Sequence, residues 1–336
     1  ETVLLGVTLQ VGRTGVVTPV AELQPVQLGG SVVKRASLHN FTLIREKNLR
    51  LGSRVLIQKA GEIIPQVISR VAGDSDSGTR EIVPPTDCPS CGRPLSRPGE
   101  ESPALRCPHL DCAERVRTST LYFCGKTGMD IEGLGEKVVS QLIAKQLIRR
   151  LPDIYRFKRE DLEGLEGFAE KSIRQLLEAI EASRSRTYEE VLTSLGISGL
   201  GRANARQLCK NFRSIEDLEK AETETLCEVE GIGPILAEHI RAWFAETSHA
   251  ALWRELRESG LSFESAAQES SGRLKGQRFV ITGTLPTLSR EEAGRRILAA
   301  GGDIASAVSA KTTFLVCGDK PGSKKAKAEK LGVPVI

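Results

Sequence analysis

Apolar and polar residues alternate through the first 80 positions, and the spacing becomes helical from residue 129 onward. The stretches Val3–Val11, Val16–Pro19, Val26–Leu28, Val32–Ala36, Val55–Lys59 and Pro65–Val71 are rich in β-branched residues. Gly12, Gly15, Gly29, Gly30, Gly52 and Gly61 punctuate them, which is the pattern of short strands joined by turns. Only Leu38–Asn48 has helical character. Residues 1–80 are therefore expected to form a five-strand β-barrel with one helix, the OB architecture. Gly73–Pro85 reads as a polar linker.

Residues 129–265 contain a repeat of hydrophobic–x–Gly–hydrophobic–Gly form. It occurs as Ile131-Glu-Gly-Leu-Gly135, Leu165-Glu-Gly-Phe-Ala169, Ile197-Ser-Gly-Leu-Gly201 and Val229-Glu-Gly-Ile-Gly233. The central glycines Gly133, Gly167, Gly199 and Gly231 are 34, 32 and 32 residues apart. Ala266–Gly272 reads as a second linker. Residues 272–336 run strand (Arg278–Thr282), helix (Arg290–Ala300), strand (Ile304–Ala307), strand (Phe314–Cys317), helix (Ser323–Leu331) and strand (Val333–Ile336), a small α/β domain expected to stop before its final helix. The fold class expected is multidomain, with a barrel at 1–80, a metal module at 81–128, an all-α domain at 129–265 and an α/β domain at 272–336.

Composition narrows the class. No run of about 18 apolar residues is present, which argues against a transmembrane helix, and the first ten residues lack the basic start of a signal peptide. A chain that opens in mid-strand without Met is expected to be a fragment. The net charge of +4 is uneven. Residues 129–271 hold 19 basic and 26 acidic side chains, whereas 272–336 hold 12 and five. If the acidic helical segment binds nucleic acid, oriented backbone groups must supply the attraction.

Four of the eight cysteines lie in Cys88-Pro-Ser-Cys91 and Cys107-Pro-His-Leu-Asp-Cys112, with 15 residues between the pairs. Two thiolate knuckles at this spacing complete a closed tetrahedral shell, so the metal expected is structural zinc with no open catalytic position. His109 replacing Cys107 or Cys112 is the alternative. Cys124, Cys209, Cys227 and Cys317 are scattered, a pattern that favours a reducing cytoplasm over disulfides, and Cys209 and Cys227 sit at helical apolar positions as core packing. His39, His239 and His249 show neither metal nor triad spacing.

The glycine repeats have the form of helix-hairpin-helix motifs, in which the second helix begins with unpaired N–H groups and a positive dipole end that bind a phosphate oxygen. Gly133, Gly135, Gly199, Gly201, Gly231 and Gly233 are the candidate positions, with Lys137 beside the first unit and Arg202 and Arg206 beside the third. A plain hairpin turn is the alternative for any single unit, and Ala169 makes the second unit the weakest. In Lys59-Ala-Gly-Glu-Ile-Ile-Pro65, Ile63 and Ile64 are either exposed, able to press into a minor groove while Lys59 and Arg13 reach phosphates, or half-buried in a barrel strand. Thr282, Gly283 and Lys324 are candidates for a phosphate pocket, against a reading in which Thr282 caps local backbone and Lys324 is solvated. No Gly-rich loop ending in Lys-Ser/Thr, paired-carboxylate site or nucleophile motif occurs.

The order of these modules resembles the bacterial NAD-dependent DNA ligases along the whole chain. Val11-Gly-Arg-Thr-Gly15, Thr18-Pro-Val-Ala21, Leu38-His-Asn40 and Lys59–Pro65 look like the family's OB domain. The four-cysteine finger, the four hairpins and a terminal BRCT domain, with Gly301, Gly302 and Gly318 fitting its pattern, follow in the family's order. The resemblance implies a reaction in which a lysine takes AMP from NAD, AMP passes to the 5′-phosphate of a nick, and the 3′-hydroxyl displaces it with magnesium or manganese assistance. That lysine stands in a Lys-x-Asp-Gly motif, which this sequence does not contain. The resemblance therefore implies no catalytic residue here, NAD and metal activator bound mainly outside these residues, and no self-adenylation by the fragment. It implies Arg13, Thr14, Lys59, Ile63 and Ile64 as DNA contacts near the nick. It also implies nicked double-stranded DNA as partner, a monomer, no membrane, and a bacterial cytoplasm with nucleoid association. A non-enzymatic nick- or end-binding scaffold is the competing class. A repair nuclease subunit would need clustered carboxylates for metals.

Overall fold

The structure, a computed structural model, describes residues 1–336 except 62, 98, 100, 101, 266–273, 275, 287, 310, 320 and 321, and the side chain of 299. The expected linker Ala266–Gly272 lies outside the described residues. The chain divides into two compact units, Glu1–Phe263 and Glu264–Ile336.

The first unit begins with strands β1 (Thr2–Val11), β2 (Val16–Leu28), β3 (Ser31–Ser37), β4 (Arg50–Leu51), β5 (Arg54–Ala60) and β6 (Ile64–Arg70), with helix α1 (Phe41–Glu46) between β3 and β4. The sheet runs β1-β5-β6-β3-β2, and the β1–β2 pairing closes it into a barrel. Two stretches expected as separate strands, Val16–Pro19 and Val26–Leu28, are one 13-residue strand, whose register shifts between Glu22 and Val26. The break in alternation is a bulge within one strand. α1 is shorter than expected because Asn40 caps it by accepting from the Leu43 amide. The expected linker also holds structure: β7 (Arg80–Glu81) pairs with β4, and Arg70 holds Asp74 at 3.3 Å.

A further strand, β8 (Leu105–Arg106), adds to the barrel edge opposite Val16 and Val17. Helix α2 (Ala113–Cys124) then starts at Cys112 and enters a second core. That core takes Val116, Phe123 and Cys124 from α2 and runs to Phe263. It collects α3 (Glu136–Ala144), α4 (Arg159–Leu162), α5 (Glu170–Ser183), α6 (Tyr188–Ser194), α7 (Arg202–Asn211), α8 (Ile215–Lys220), α9 (Thr223–Cys227), α10 (Pro234–Ala245) and α11 (Thr247–Glu258). Cys209 and Cys227 pack against it. No helix among the described residues is long and apolar enough to cross a membrane.

The second unit is a parallel three-stranded sheet in the order β10 (Asp303–Ile304), β9 (Arg278–Thr282), β11 (Phe314–Cys317), with α12 (Arg290–Ala299) and α13 (Ser323–Lys330). Alternate β9 residues face opposite ways: Val280 packs with Ala328, while Phe279 and Ile281 pack with Ala293 and Ile297, as strand periodicity requires. The expected strand Val333–Ile336 is a single bridge, Val335 opposite Leu315.

The α10–α11 corner carries a pH-sensitive contact. His249 stacks on Trp243 with ring centroids 4.5 Å apart and planes at 5°, and its Nδ1 lies 3.0 Å from the Trp243 carbonyl. Burial is the largest influence on His249 and pushes its pKa below 6.5; the Trp243 carbonyl and Glu246 oppose that shift and Arg115 adds to it. The unfolded chain therefore takes up a proton first as pH falls, so this contribution to stability is complete above about pH 6.5 and is lost below it. Melting temperature should fall between about pH 7.5 and pH 5.5, and by less in His249→Gln. Equal slopes in calorimetry would contradict the assignment.

Candidate metal centre and nucleic-acid interface

The Sγ atoms of Cys88, Cys91, Cys107 and Cys112 all lie within 4.8 Å of one another. Cys88 and Cys112 are 3.8 Å apart, and Cys91 and Cys107 3.7 Å. Both are too long for a disulfide. The edge of a tetrahedron around a thiolate-bound zinc ion, with bonds of about 2.3 Å, is about 3.8 Å, so the donor set fits a closed four-thiolate ion. His109 lies outside the cluster, though its carbonyl is 4.0 Å from Cys107 Sγ. Burial raises the Cys91 thiol, but hydrogen bonds from the Arg93 amide and guanidinium and from Cys88 and Cys107 together outweigh it and hold it at about 6. Burial pushes Cys107 up to about 12.

The four glycine repeats share one geometry. In each, the fourth residue donates to the carbonyl of the first: Leu134 to Ile131 (3.4 Å), Phe168 to Leu165 (3.1 Å), Leu200 to Ile197 (3.1 Å) and Ile232 to Val229 (3.0 Å). The glycine between has φ of 97°, 80°, 77° and 85° in turn, the left-handed region a type II turn demands at this position. The flanking side chains Ile131, Leu134, Leu165, Ile197, Leu200, Val229 and Ile232 are buried. The next helix then begins at once, with Gly135, Ala169, Gly201 and Gly233 as N-caps of α3, α5, α7 and α10.

These caps separate the units. Gly135, Gly201 and Gly233 have φ of −78°, −91° and −89° and provide no side-chain cap. A Cβ added at any of the three would meet nothing within 4 Å. In the second unit the Ala169 amide donates to Ser172 Oγ at 2.8 Å, and Glu170 of the first turn is held by Arg159 at 2.7 Å. The first turns of α7 and α10 contain no acidic residue, whereas α3 contains Glu136, which Arg117 holds at 2.8 Å. Lys137 is exposed. Arg202 and Arg206 both reach Glu189, at 3.3 and 3.0 Å. Pro234 opens α10, and Ile235 after it is 73% exposed.

In the barrel, Ile63 and Ile64 are 79% and 62% exposed, which answers the alternative of half-burial. Lys59 donates to the Gly29 carbonyl at 3.2 Å. Arg13 lies with its guanidinium 4.2 Å from the centre of the Tyr122 ring, joining the barrel to α2; sequence pattern had offered it only as a phosphate contact. With Thr14 it lines a cleft of about 840 Å³ together with Arg106, Arg115, Trp243 and His249. Arg115 and Tyr122 had no signal in the sequence, because their partners lie on distant elements. His39 pairs with Gln66 at 3.0 Å and His239 with the Ser198 carbonyl at 3.2 Å. In the second unit Thr282 is buried. Gly283 and Gly318 sit where added side chains would strike the backbone of Gly318 and Thr284, so close chain packing accounts for both glycines, and Lys324 is half-buried on α13.

Residues 1–79 match a family model described as the NAD-dependent DNA ligase OB-fold domain. Residues 190–252, the third and fourth hairpins, match the helix-hairpin-helix motif, and 269–336 match the BRCA1 C Terminus (BRCT) domain. The chain is 41% identical to a DNA ligase of Syntrophomonas wolfei, over 100% of this chain and 51% of that protein. Its likeness is to half of a bacterial DNA ligase. Identity is 42% to a Synechococcus DNA ligase, over 98% of this chain and 49% of that protein, and 41% to a Chloroflexus aggregans DNA ligase, over 99% and 49%. The chain thus spans about half the length of the curated relatives it matches.

Metal-replete protein should bind one divalent ion per chain, and Cys91→Ser with Cys107→Ser should bind none. Cobalt titration followed by thiolate charge-transfer absorbance checks this. Retention of the ion by the double variant would move the site elsewhere.

Proposed function

We propose that this chain is the DNA-gripping part of an NAD-dependent DNA ligase and holds nicked duplex through the helix starts of α3, α7 and α10. One observation carries the reading. Gly135, Gly201 and Gly233 have ordinary backbone angles and open space where a side chain would go. Folding does not require glycine at these places, while close approach of a phosphate to the helix N-terminal amides does. This binding does not depend on bulk charge, which suits the acidic helical segment. The second unit serves as a structural hairpin.

In this reading the exposed Ile63 and Ile64 press on the minor groove, and Lys59, Lys137, Arg202 and Arg206 supply cationic contacts, the two arginines after release from Glu189. The four cysteines hold structural zinc. The domains are 1–80, 81–128, 129–265 and 272–336, the last adding affinity. The adenylate steps, with NAD and magnesium, belong to residues outside this chain, and sealing of a 5′-phosphate to a 3′-hydroxyl is the work of the whole enzyme.

Gly201→Val and Gly233→Val should leave the melting temperature nearly unchanged. Each should weaken nicked-duplex binding by about tenfold or more, as expected for loss of charge-assisted amide bonds. Ala169→Val and Glu222→Lys should change affinity little. Fluorescence anisotropy with a nicked duplex measures all four. Wild-type affinity in both glycine variants, or an equal loss in Glu222→Lys, would overturn the reading.

A further inference from the structure

Arg115 is an arginine buried at 9% exposure with no carboxylate within ion-pair distance among the described residues. Its Nη1 donates to the Cys107 carbonyl at 3.1 Å, and its Nε to the Arg13 carbonyl at 3.4 Å. A buried cation bonded only to carbonyls needs a counter-charge. The four-cysteine cluster lies beside it. A divalent ion in four thiolates leaves a net charge of about −2, and Cys88, Cys107 and Cys112 are 3%, 1% and 0% exposed. Of the other nearby cations, Arg93 faces Cys91 but is already paired with Asp111 at 2.6 Å and is 39% exposed, and Arg106, next to Cys107, is half-buried. Arg115 is the most buried of the three.

The same residues fix the β1–β2 loop. The Cys107 amide donates to the Gly15 carbonyl at 2.9 Å. Gly15 has φ of 83°, and a Cβ there would stand 2.3 Å from the Cys107 carbonyl oxygen, so the loop lies directly on the peptide of a metal ligand. Two helical turns beyond Arg115 on α2, Tyr122 holds the Arg13 guanidinium.

We propose that Arg115 is the counter-charge of the occupied four-thiolate site and the strut that couples metal occupancy to the position of the Arg13–Gly15 loop. This rests on the reading of the four cysteines as a zinc site. Arg115 is a positioning residue: it reaches metal and loop only through neighbouring groups.

The test uses the whole 336-residue chain with zinc as the probe, and reads zinc retention against a chromophoric chelator and hydrogen exchange at Thr14, Gly15 and Val16. Arg115→Met should weaken zinc retention about tenfold or more, the range for loss of an outer partner of a metal site, and speed exchange in the loop. Stripping zinc from the wild type should speed exchange at the same amides, a readout that survives if Arg115→Met fails to fold. Arg115→Lys, which keeps the charge without the two-pronged fork, should recover most of the zinc retention while the loop still exchanges fast. Arg93→Met should affect the loop least. Wild-type zinc retention in Arg115→Met, or a loop indifferent to zinc stripping, would overturn the assignment. Failure of the wild type to take up zinc would overturn both this inference and the zinc reading. The expected zinc and exchange effects in a chain that does not bind nicked duplex would support the strut while sinking the DNA-binding proposal.

Discussion

A helix that begins at glycine leaves its first backbone amides without an internal partner, and the helical half of this protein is organised around that constraint. Buried pairs such as Ile197 with Leu200 and Val229 with Ile232 anchor each turn in the core. The left-handed glycine between them reverses the chain, and the following glycine is the N-cap. The hydrophobic contacts thus aim the unsatisfied end of each helix outward. In the second unit Ser172 Oγ accepts from the Ala169 amide just ahead of the helix, and the N-cap is alanine.

The four-cysteine segment joins the barrel to the helical core. Cys88, Cys107 and Cys112 belong to the barrel's core. Cys112 is also the N-cap of α2, whose Val116 and Phe123 belong to the helical core. β8 extends the barrel sheet, and Arg115 and Tyr122 hold the loop carrying Arg13 and Thr14. A short segment rich in turns has too little apolar surface to make such a joint alone, and four metal–sulfur bonds at the cysteine cluster would replace the missing burial.

Elements governed by local rules were legible in the sequence. Two-residue alternation revealed the barrel strands, the cysteine spacing identified the cluster, and the recurring glycines located the four turns. Errors arose where long-range pairing decides. A bulge near Glu22 hid the continuity of β2, β7 forms only because Arg50 and Leu51 are opposite it, and Val335 makes a bridge where a strand was expected. Site residues divide the same way. The exposure of Ile63 and Ile64 could not be settled from spacing, because alternation does not show which face of a strand end is covered. Arg115 and Tyr122 gave no local signal, since each acts on a loop about 100 residues earlier in the chain. The distinction between the two glycines of each repeat also needed coordinates, because only the backbone angle and the surrounding space separate a glycine the turn requires from one the fold does not.

In the proposed function, backbone amides at three helix starts bind the phosphates. This binding is tested most directly by recording amide resonances of the isotope-labelled chain as nicked duplex is added. Large shifts are expected for Glu136–Val138, Arg202–Asn204 and Ile235–Leu236, with residues 170–172 of the second hairpin unmoved. Shifts confined to the barrel and the basic side chains, with those three helix starts silent, would contradict it.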